Sequence, residues 1–337
     1  MFGKLLKKMK VKFDIYLPFE NSDIELTETT KLFINELIEN TRLILIPLDD
    51  FGETELTIEK TTTETIDFLK KEYTTFFRET NTEIIHFAST IEFEVVYEFK
   101  NSTGAEELSK DDLNYSLITS IFESRFQNFL TFTQIAIPGS LLTNKGLFLR
   151  DEKYYHDIES LRSNLLSVVY EKNVTWPHTD LLSLLQVWNY IKNETCILTK
   201  KSLTNIENGL NAFSYLIENN SDSMQNLFWA MSGIEALYAE GGIGIGYQID
   251  MKSKLFLGEP NENKNILKKL YNFRSKFIHG SMNIPISNGW FSDDSQDEYD
   301  IEFYDMECLA TRLLTATLQM IIKKDMRKFE FEFKLIE

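Results

Sequence analysis

The sequence contains few cysteines and no long hydrophobic run, and each absence argues against a class of protein. Only Cys196 and Cys308 occur among its 337 residues, with no CxxC and no Cys/His spacing. This argues against a structural zinc site and for a reducing cytoplasm. No apolar run approaches the length that spans a bilayer. The basic first ten residues lack a following apolar segment, so we expect no signal peptide and no membrane partner.

Familiar enzyme signatures are missing as well, so no cofactor and no bound metal are expected. There is no Ser-His-Asp, HExxH or kinase-like pattern. The glycine-rich stretch 241–246 follows a predicted helix and has no Lys-Ser/Thr after it, so it fits neither a P-loop nor a dinucleotide-binding fingerprint. We interpret it as a flexible loop between helices. His86, His156 and His178 stand without metal-ligand partners and are interpreted as structural or surface histidines.

What is present is an ordinary globular composition with a strongly acidic balance. Hydrophobic residues make up 43% of the chain and charged residues 26%, which excludes a disordered chain, and the length suffices for two domains. The formal net charge of −17 is unevenly distributed. Between Met251 and Gly280, seven basic residues face two acidic ones, so this window carries +5 and the remainder of the chain −22. The acidic remainder serves solubility or a basic partner.

The N-terminal part predicts a domain of mixed α and β structure. Residues 10–17 and 90–99 alternate apolar and polar side chains, and 42–48 is a short apolar run, all typical of strands. Helical periodicity occurs at 62–78, 111–136 and 154–172. We therefore expect an α+β domain over residues 1–195.

Strand signals stop after residue 178, and helical periodicity takes over. Helices are predicted at 180–192, 204–218, 222–239, 246–257, 263–279 and 303–324. Thr204 and Glu207 have the spacing of a capping box, and 292–300 predicts a solvated acidic loop. We expect an all-α bundle over 196–326 and a C-terminal strand over 327–337. Because a lone strand is rarely stable, this strand is expected to return to the N-terminal sheet.

The most informative segment is Leu270-Tyr-Asn-Phe-Arg-Ser-Lys-Phe-Ile-His-Gly280, which carries Arg274 and His279 at the end of a predicted helix. Apolar side chains from Ile266 to Phe277 have helical spacing, and Gly280 stands where a helix favours a left-handed terminal residue. Arginine grips a phosphate with parallel hydrogen bonds, and histidine titrates near neutral pH. The pair therefore fits phosphodiester cleavage. By spacing alone it fits equally a surface ion pair and a residue that caps the last carbonyls. Five residues separate the two side chains by about 140° on an ideal helix, so they share a site only if the helix ends there or a second subunit closes it.

The segment resembles the Arg-x4-6-His ribonuclease motif of the HEPN family (higher eukaryotes and prokaryotes nucleotide-binding). The resemblance covers about Ser202 to Lys324. Thr204–Leu216 and Asn226–Tyr238 look like the first two helices of the abortive-infection type of this domain, and Trp176–Trp188 looks like the segment that precedes it. Several HEPN subfamilies have Asn, Asp or His directly after the arginine, whereas Ser275 stands there in this chain.

The resemblance implies a HEPN-like helical bundle with metal-independent endoribonuclease activity. The RNA 2′-hydroxyl attacks the neighbouring phosphorus and leaves a 2′,3′-cyclic phosphate and a 5′-hydroxyl. His279 is then the general acid or base, and Arg274 binds the phosphate. The resemblance further implies a homodimer, a role in antiviral defence, abortive infection or a toxin–antitoxin system, and an antitoxin or phage-derived trigger as a partner. The N-terminal domain is then a sensor or regulatory region.

Other residues are assigned supporting roles on the same basis. Ser275, Lys276 and Glu235 are expected to support the catalytic pair. Glu235 lies in an apolar run, where a carboxylate needs a partner. It holds Arg274 or His279 in position, forms an ion pair between helices, or lies on an exposed helix face. The expected RNA-binding residues are Lys264, Lys268 and Lys269. Two alternatives remain open: a non-catalytic HEPN module that binds nucleic acid or a partner protein, and a structural helical adaptor.

Overall fold

The computed structural model of the chain divides it into two compact units. The first comprises residues 1–131 and 141–161, and the second comprises 132–140 and 162–337. The structure describes residues 3–19, 24–40, 43–48, 52–59, 61–72, 83–99, 104–140, 146–158, 176–193, 201–218, 223–241, 244–260, 264–282 and 294–332. Within them, no helix is both long and apolar enough to cross a membrane.

The first unit is built on antiparallel β-structure. Its strands are β1 (Gly3–Phe19), β2 (Leu45–Pro47), β3 (Glu53–Glu55), β4 (Thr57–Glu59), β5 (Glu83–Phe99), β6 (Gly146–Arg150) and β7 (Lys153–Ile158). Five of them form one sheet in the order β4-β5-β1-β6-β7, and β2 pairs with β3. Its helices are α1 (Ile24–Asn40), α2 (Thr63–Glu72) and α3 (Gly104–Thr133). The strands predicted at 10–17 and 90–99 are thus confirmed and belong to the long pair β1 and β5.

The two faces of the sheet are covered differently. Phe13 of β1 is fully buried and stacks on Phe122 of α3, with 4.5 Å between ring centroids, so α3 covers one face. On the other face Tyr16 packs with Leu69 of α2. Alternation along β1 predicts a polar second face, but Asp14 is also buried there, only 3% exposed. The second face is therefore partly covered, and the charged residue Asp14 is buried on it.

The helical prediction for 154–172 is wrong over its first residues. Residues 153–158 form β7, which pairs with β6 across a turn at Asp151 and Glu152. Both turn residues have positive φ, 49° and 63°, as in the two-residue turns that match the twist of a hairpin. The hairpin pairs residues 153–158 directly with β6, and this pairing outweighs the short helical periodicity of the sequence. Residues 159–172 lie outside the described part of the chain.

The second unit is helical, in line with the sequence prediction. Its helices are α4 (Leu184–Asn193), α5 (Asn205–Glu218), α6 (Ser223–Tyr238), α7 (Ile245–Leu257), α8 (Ile266–Ile278) and α9 (Asp294–Lys323). Gln319 of α9 joins two non-helical segments of this unit: its Nε2 donates to Ile135 O and to Asp180 O, each at 2.8 Å. The α+β class of the chain follows from the sheet and this helical remainder.

The division by contacts differs from the boundary expected near residue 195. Residues 176–193 belong to the helical unit. Trp176 Nε1 donates to Gly258 O at 2.8 Å, and the Tyr190 hydroxyl donates to Met326 O at 2.5 Å. These contacts fasten the segment 176–193 to the helical unit.

Two further predictions about the C-terminal part are corrected. The acidic stretch 292–300 was expected as a loop, but α9 already begins at Asp294, and a helix dipole favours acidic residues near its start. Residues 329–332 are not in a strand. Phe329 is instead buried in the helical unit against Tyr238 and Phe256. Phe329 thus packs against helices and not within a sheet. Residues 333–337 lie outside the described part of the chain.

Candidate functional site

The candidate site lies at the C-terminal end of α8. This helix buries Leu267, Leu270 and Phe273, the spacing that the sequence predicted for its inner face. Gly280 follows with φ 66°, and its N–H donates to Phe277 O at 3.2 Å while Ser281 N–H donates to Lys276 O at 2.9 Å. These two bonds form a Schellman motif, which needs a left-handed residue such as glycine. The prediction of Gly280 as the helix terminator is confirmed.

Arg274 is held against the neighbouring helix α6 by Glu235. Its Nη2 lies 2.9 Å from Oε1 and 3.0 Å from Oε2 of the carboxylate, and it donates a hydrogen bond to Oε2. Both side chains are about one-fifth exposed, 21% for Arg274 and 20% for Glu235. Burial raises the pKa of Glu235, and the guanidinium of Arg274 opposes that rise. The contact is an ion pair between α8 and α6, and it fits both a positioning role for Glu235 and a structural one.

His279 lies outside the helix proper. It is the C-cap of α8, with φ −88° and ψ 7°, and is exposed. Its backbone N–H donates to Ser275 O at 3.0 Å, and no described residue forms a hydrogen bond or ion pair with its imidazole. The structure therefore gives the two motif residues different environments: Arg274 is anchored between helices and His279 faces solvent. No described contact joins the two side chains within one chain.

The other predicted site residues surround the same helix. Ser275 is half-buried and Lys276 exposed at the end of α8. Lys264 precedes the helix, and its carbonyl accepts a hydrogen bond from Lys254 Nζ at 3.0 Å. Lys269 lies 3.3 Å from Glu302 of α9. Lys268 is exposed, and it lines both of the cavities described next.

Two cavities meet at Lys268 and Asn272. One, of about 460 Å³, lies where α7 begins beside α8, and the other has about 440 Å³. The first is lined by Gly244, Ile245, Gly246, Tyr247, Asp250, Lys268, Tyr271 and Asn272. The second is lined by Asn265, Lys268, Lys269, Asn272, Phe273, Lys276, Met282 and Glu302. Neither set of lining residues includes Arg274 or His279.

The basic window 251–280 has a smaller local excess of positive charge in the structure than its sequence indicates. Four of its cations pair with carboxylates that lie outside the window: Lys252 with Glu240, Lys254 with Asp250, Lys269 with Glu302 and Arg274 with Glu235. Including these carboxylates reduces the local excess from five positive charges to one. Lys252 is also buried, 2% exposed. Among described residues, Lys264, Lys268 and Lys276 are the window's cations without an ion pair.

The sequence analysis missed a second group of titratable residues, in the first unit. His86, interpreted as a structural or surface histidine, is buried, 7% exposed, and lies beside two carboxylates. Its Nε2 lies 2.9 Å from Asp14 Oδ1, and its Nδ1 lies 3.8 Å from Glu59 Oε2. These three residues are far apart in sequence, so no spacing rule finds them. The one available signal was Asp14, an acidic residue inside an alternating strand pattern.

Comparisons with known proteins do not add to these observations. A scan against protein-family models, a search of curated proteins and a search of solved structures each found no match. The likeness to HEPN proteins therefore rests on the motif and helix segments quoted above.

Proposed function

We propose that the helical unit is a metal-independent endoribonuclease of the HEPN type. The observation that carries the proposal is the setting of Arg274 and His279 at a helix end closed by a Schellman motif, with Arg274 fixed by Glu235 of α6. A phosphate-binding cation and an exposed imidazole then lie on the same short segment. Transfer of a phosphoryl group from one RNA oxygen to another requires both.

Arg274 serves as the phosphate-binding group. Glu235 engages its Nη2 alone among the described contacts, which leaves the N–H donors on Nη1 and Nε for the phosphate oxygens. A guanidinium fixed by a carboxylate needs no reorganisation when substrate binds, and such preorganisation makes electrostatic stabilisation of the transition state effective. In this proposal Glu235 is a positioning residue that acts through Arg274.

His279 serves as the general acid or base. Its imidazole is exposed and without a described partner, so it is free to accept the proton of the RNA 2′-hydroxyl as that oxygen attacks phosphorus. The bond from phosphorus to the 5′-oxygen then breaks, and that oxygen gains a proton. Positioned proton transfer contributes roughly 10²–10⁴-fold to such a rate. Because Arg274 faces α6 and His279 faces solvent, the complete site combines these residues from the two subunits of a homodimer.

A second candidate is a HEPN module that binds nucleic acid or a partner protein without cleaving it. The same ion pair favours it, because a guanidinium whose charge is already balanced by Glu235 can have a purely structural role. In this reading Arg274 fastens α8 to α6, and the three cations without described ion pairs provide weak nucleic-acid contacts. Loss of RNA cleavage on substitution of His279, which forms no described side-chain contact, separates the two candidates.

The test compares RNA cleavage by the wild type with that by Arg274→Ala and His279→Ala. Each substitution is expected to abolish cleavage and any toxicity in cells, since each removes a group that the reaction needs. His178→Ala and Arg327→Ala are matched controls, because these residues are exposed members of the same unit with carboxylate partners, Asp180 and Asp325. Both controls are expected to keep full activity. Cleavage that survives His279→Ala excludes the catalytic assignment.

The product ends test the reaction type. We expect 2′,3′-cyclic phosphate and 5′-hydroxyl ends, and cleavage that continues in EDTA, because no carboxylate other than Glu235 is described in contact with the motif pair and Glu235 is occupied by Arg274. Products with 5′-phosphate ends indicate attack by a metal-activated water instead. Thermal melting recorded in the same EDTA buffer controls for effects of the chelator on the fold.

A further inference from the structure

We propose that the first unit binds one divalent cation, of the Zn²⁺ type, between His86 Nδ1 and the carboxylate of Glu59, with Asp14 orienting the imidazole. This site lies in the β-sheet and is independent of the proposed ribonuclease motif. It involves three residues from three adjacent strands, β1, β5 and β4.

Strand register brings the three residues to one face of the sheet. His86 is the direct partner of Tyr16 on β1 and of Glu59 on β4. Asp14 lies two residues from Tyr16 on β1, and residues two apart on a strand share a face. The Tyr16 ring stacks on His86 with 4.3 Å between centroids and an angle of 20°. The imidazole is therefore held in place on one side by a ring and on its edge by a carboxylate.

The two nitrogens of His86 have unequal surroundings. Nε2 lies 2.9 Å from Asp14 Oδ1, a hydrogen-bond distance, whereas Nδ1 lies 3.8 Å from Glu59 Oε2, too far for one. If Nε2 carries the proton, Nδ1 presents a lone pair toward a carboxylate. If both nitrogens carry protons, the Nδ1 proton has no acceptor at bonding distance among the described residues. A cation between Nδ1 and Oε2 satisfies the lone pair and the carboxylate together.

The Asp14–His86 contact has the arrangement expected behind a metal ligand. A ligating histidine usually donates its other ring N–H to a carboxylate, which fixes the tautomer and makes the free nitrogen a better ligand. Asp14 is buried, 3% exposed, and its Oδ1 lies at hydrogen-bond distance from His86 Nε2. Lys12 Nζ lies 3.0 Å from the same oxygen.

The donor set and the distance indicate the kind of ion. One imidazole nitrogen and one carboxylate oxygen suit Zn²⁺ and its spectroscopic substitute Co²⁺, with water at the remaining positions. At bonds of about 2.1 Å, donors 3.8 Å apart subtend an angle of about 130° at the metal, wider than tetrahedral. Glu59 is half exposed, at 51%, so its side chain can close this angle without moving the sheet.

Binding at this place fastens a short edge strand. β4 has three residues and pairs only with β5 in the described sheet. An ion held by Glu59 of β4 and His86 of β5 links the two strands through side chains as well as through the backbone. The ion is therefore expected to raise the melting temperature of the chain, increasingly so as its free concentration exceeds the dissociation constant.

The test measures binding of Zn²⁺ by calorimetry, and of Co²⁺ by visible absorption, to the full chain after dialysis against a chelator. We expect one site in the wild type. Glu59→Gln removes a ligand from an exposed position and is expected to weaken affinity at least tenfold without loss of folding. Asp14→Asn is expected to weaken it by about 10–100-fold, and His86→Ala to abolish it.

His178→Ala provides the matched control, because His178 also lies beside a carboxylate, with Nε2 3.2 Å from Asp180 Oδ1, but is exposed. It is expected to leave affinity unchanged. Equal binding by wild type and Glu59→Gln, or binding lost only in His178→Ala, overturns the proposal. Absence of any bound ion in the wild type also overturns it and means that a water bridges Nδ1 and Glu59. Circular dichroism of each variant verifies the fold, and no outcome depends on RNA cleavage.

Discussion

At the scale of single residues, the contacts of Arg274 were only partly predictable. The sequence indicated that a carboxylate in the apolar run of α6 needs a partner, and Arg274 was one of the candidates. Glu235 contacts Arg274 and not His279 because of how α6 and α8 pack against each other. No local sequence pattern encodes this packing. The resulting ion pair is the feature on which both the catalytic and the structural interpretation of Arg274 depend.

Substitution of Glu235 tests its positioning role. Glu235→Ala removes both acceptor oxygens and is expected to lower kcat for RNA cleavage about tenfold or more, because a small misplacement of a catalytic group is costly. Glu235→Gln keeps one acceptor for Nη2 and is expected to recover part of this loss. The measurement is kcat and KM for each variant beside its melting temperature. A loss of stability in Glu235→Ala with unchanged kcat shows that the pair is structural only.

Glu307 of α9 gives the helical unit a predictable pH dependence. It is 2% exposed and accepts a hydrogen bond from Asn226 Nδ2 at 2.9 Å. Burial raises its pKa from 4.5 to about 7. A raised carboxyl pKa stabilises the folded state fully below about 4.5, and this contribution is lost as the pH rises through about 7. The shift corresponds to on the order of 3 kcal/mol.

Glu307→Gln is therefore expected to raise the melting temperature at pH 8 and to flatten its decline between pH 5 and 8. The glutamine is uncharged, and its amide can donate to Asn226 Oδ1, which has no hydrogen-bond partner in the described structure. Melting curves at both pH values for wild type and variant make the comparison. An unchanged slope contradicts the assignment of this pH dependence to Glu307.

At the scale of elements, sequence patterns located the helices of the second unit well. Thr204 and Glu207 form the predicted capping box: Glu207 N–H donates to Thr204 Oγ1 at 3.2 Å, and Glu207 Oε2 accepts from Thr204 N–H at 3.2 Å. Caps and periodicity are local, so they are visible in sequence. The packing of one helix on another is not local, and the glycine-rich stretch before α7 shows this. Gly246, the last residue of that stretch and the first of the predicted helix 246–257, lies in α7 against Tyr271 of α8.

Gly246→Ala is expected to destabilise the helical unit by about 1–3 kcal/mol, because the new methyl group overpacks the contact. Its Cβ is placed 2.6 Å from Tyr271 Cδ1, so α7 and α8 must separate or the ring must move. Chemical denaturation gives the free energy of unfolding. Leu255→Ala on the same helix is the control, since Leu255 is 75% exposed and surface changes usually stay within about 0.5 kcal/mol. Equal stability of both variants rejects a tight contact between these helices.

At the scale of the whole molecule, the proposed activity requires a second copy of the chain. Arg274 contacts α6, whereas His279, the C-cap of α8, is exposed, so the proposed site takes its second residue from the partner's motif. A two-fold interface is self-complementary, and the outer face of the helical unit offers apolar side chains for one. Phe228 is 42% exposed, and its ring lies beside Trp229, which stacks on Tyr215 at 4.3 Å.

We predict a homodimer by light scattering at micromolar concentration. Phe228→Asp places a charge in the apolar patch and is expected to produce monomers and to abolish RNA cleavage together. Leu255→Asp adds the same charge at another exposed apolar position and is expected to change neither. A strictly monomeric wild type that cleaves RNA refutes the shared site, because His279 must then reach Arg274 within one chain.

The sequence by itself determined the features that depend on neighbours along the chain. These are the α+β class, the long alternating strands, most helix positions of the second unit, the capping box and the glycine that terminates α8 beside the motif. Periodicity and turn chemistry express local backbone preferences and the burial of one face, so they can be read directly.

Only the tertiary structure decided which distant charges meet. It paired four cations of the basic window with carboxylates from outside it, and it brought Asp14, Glu59 and His86 together. It also placed Phe329 among helices rather than in a sheet. The physical reason is that Coulomb attraction and burial act on distance in space, and separation along the chain does not specify that distance.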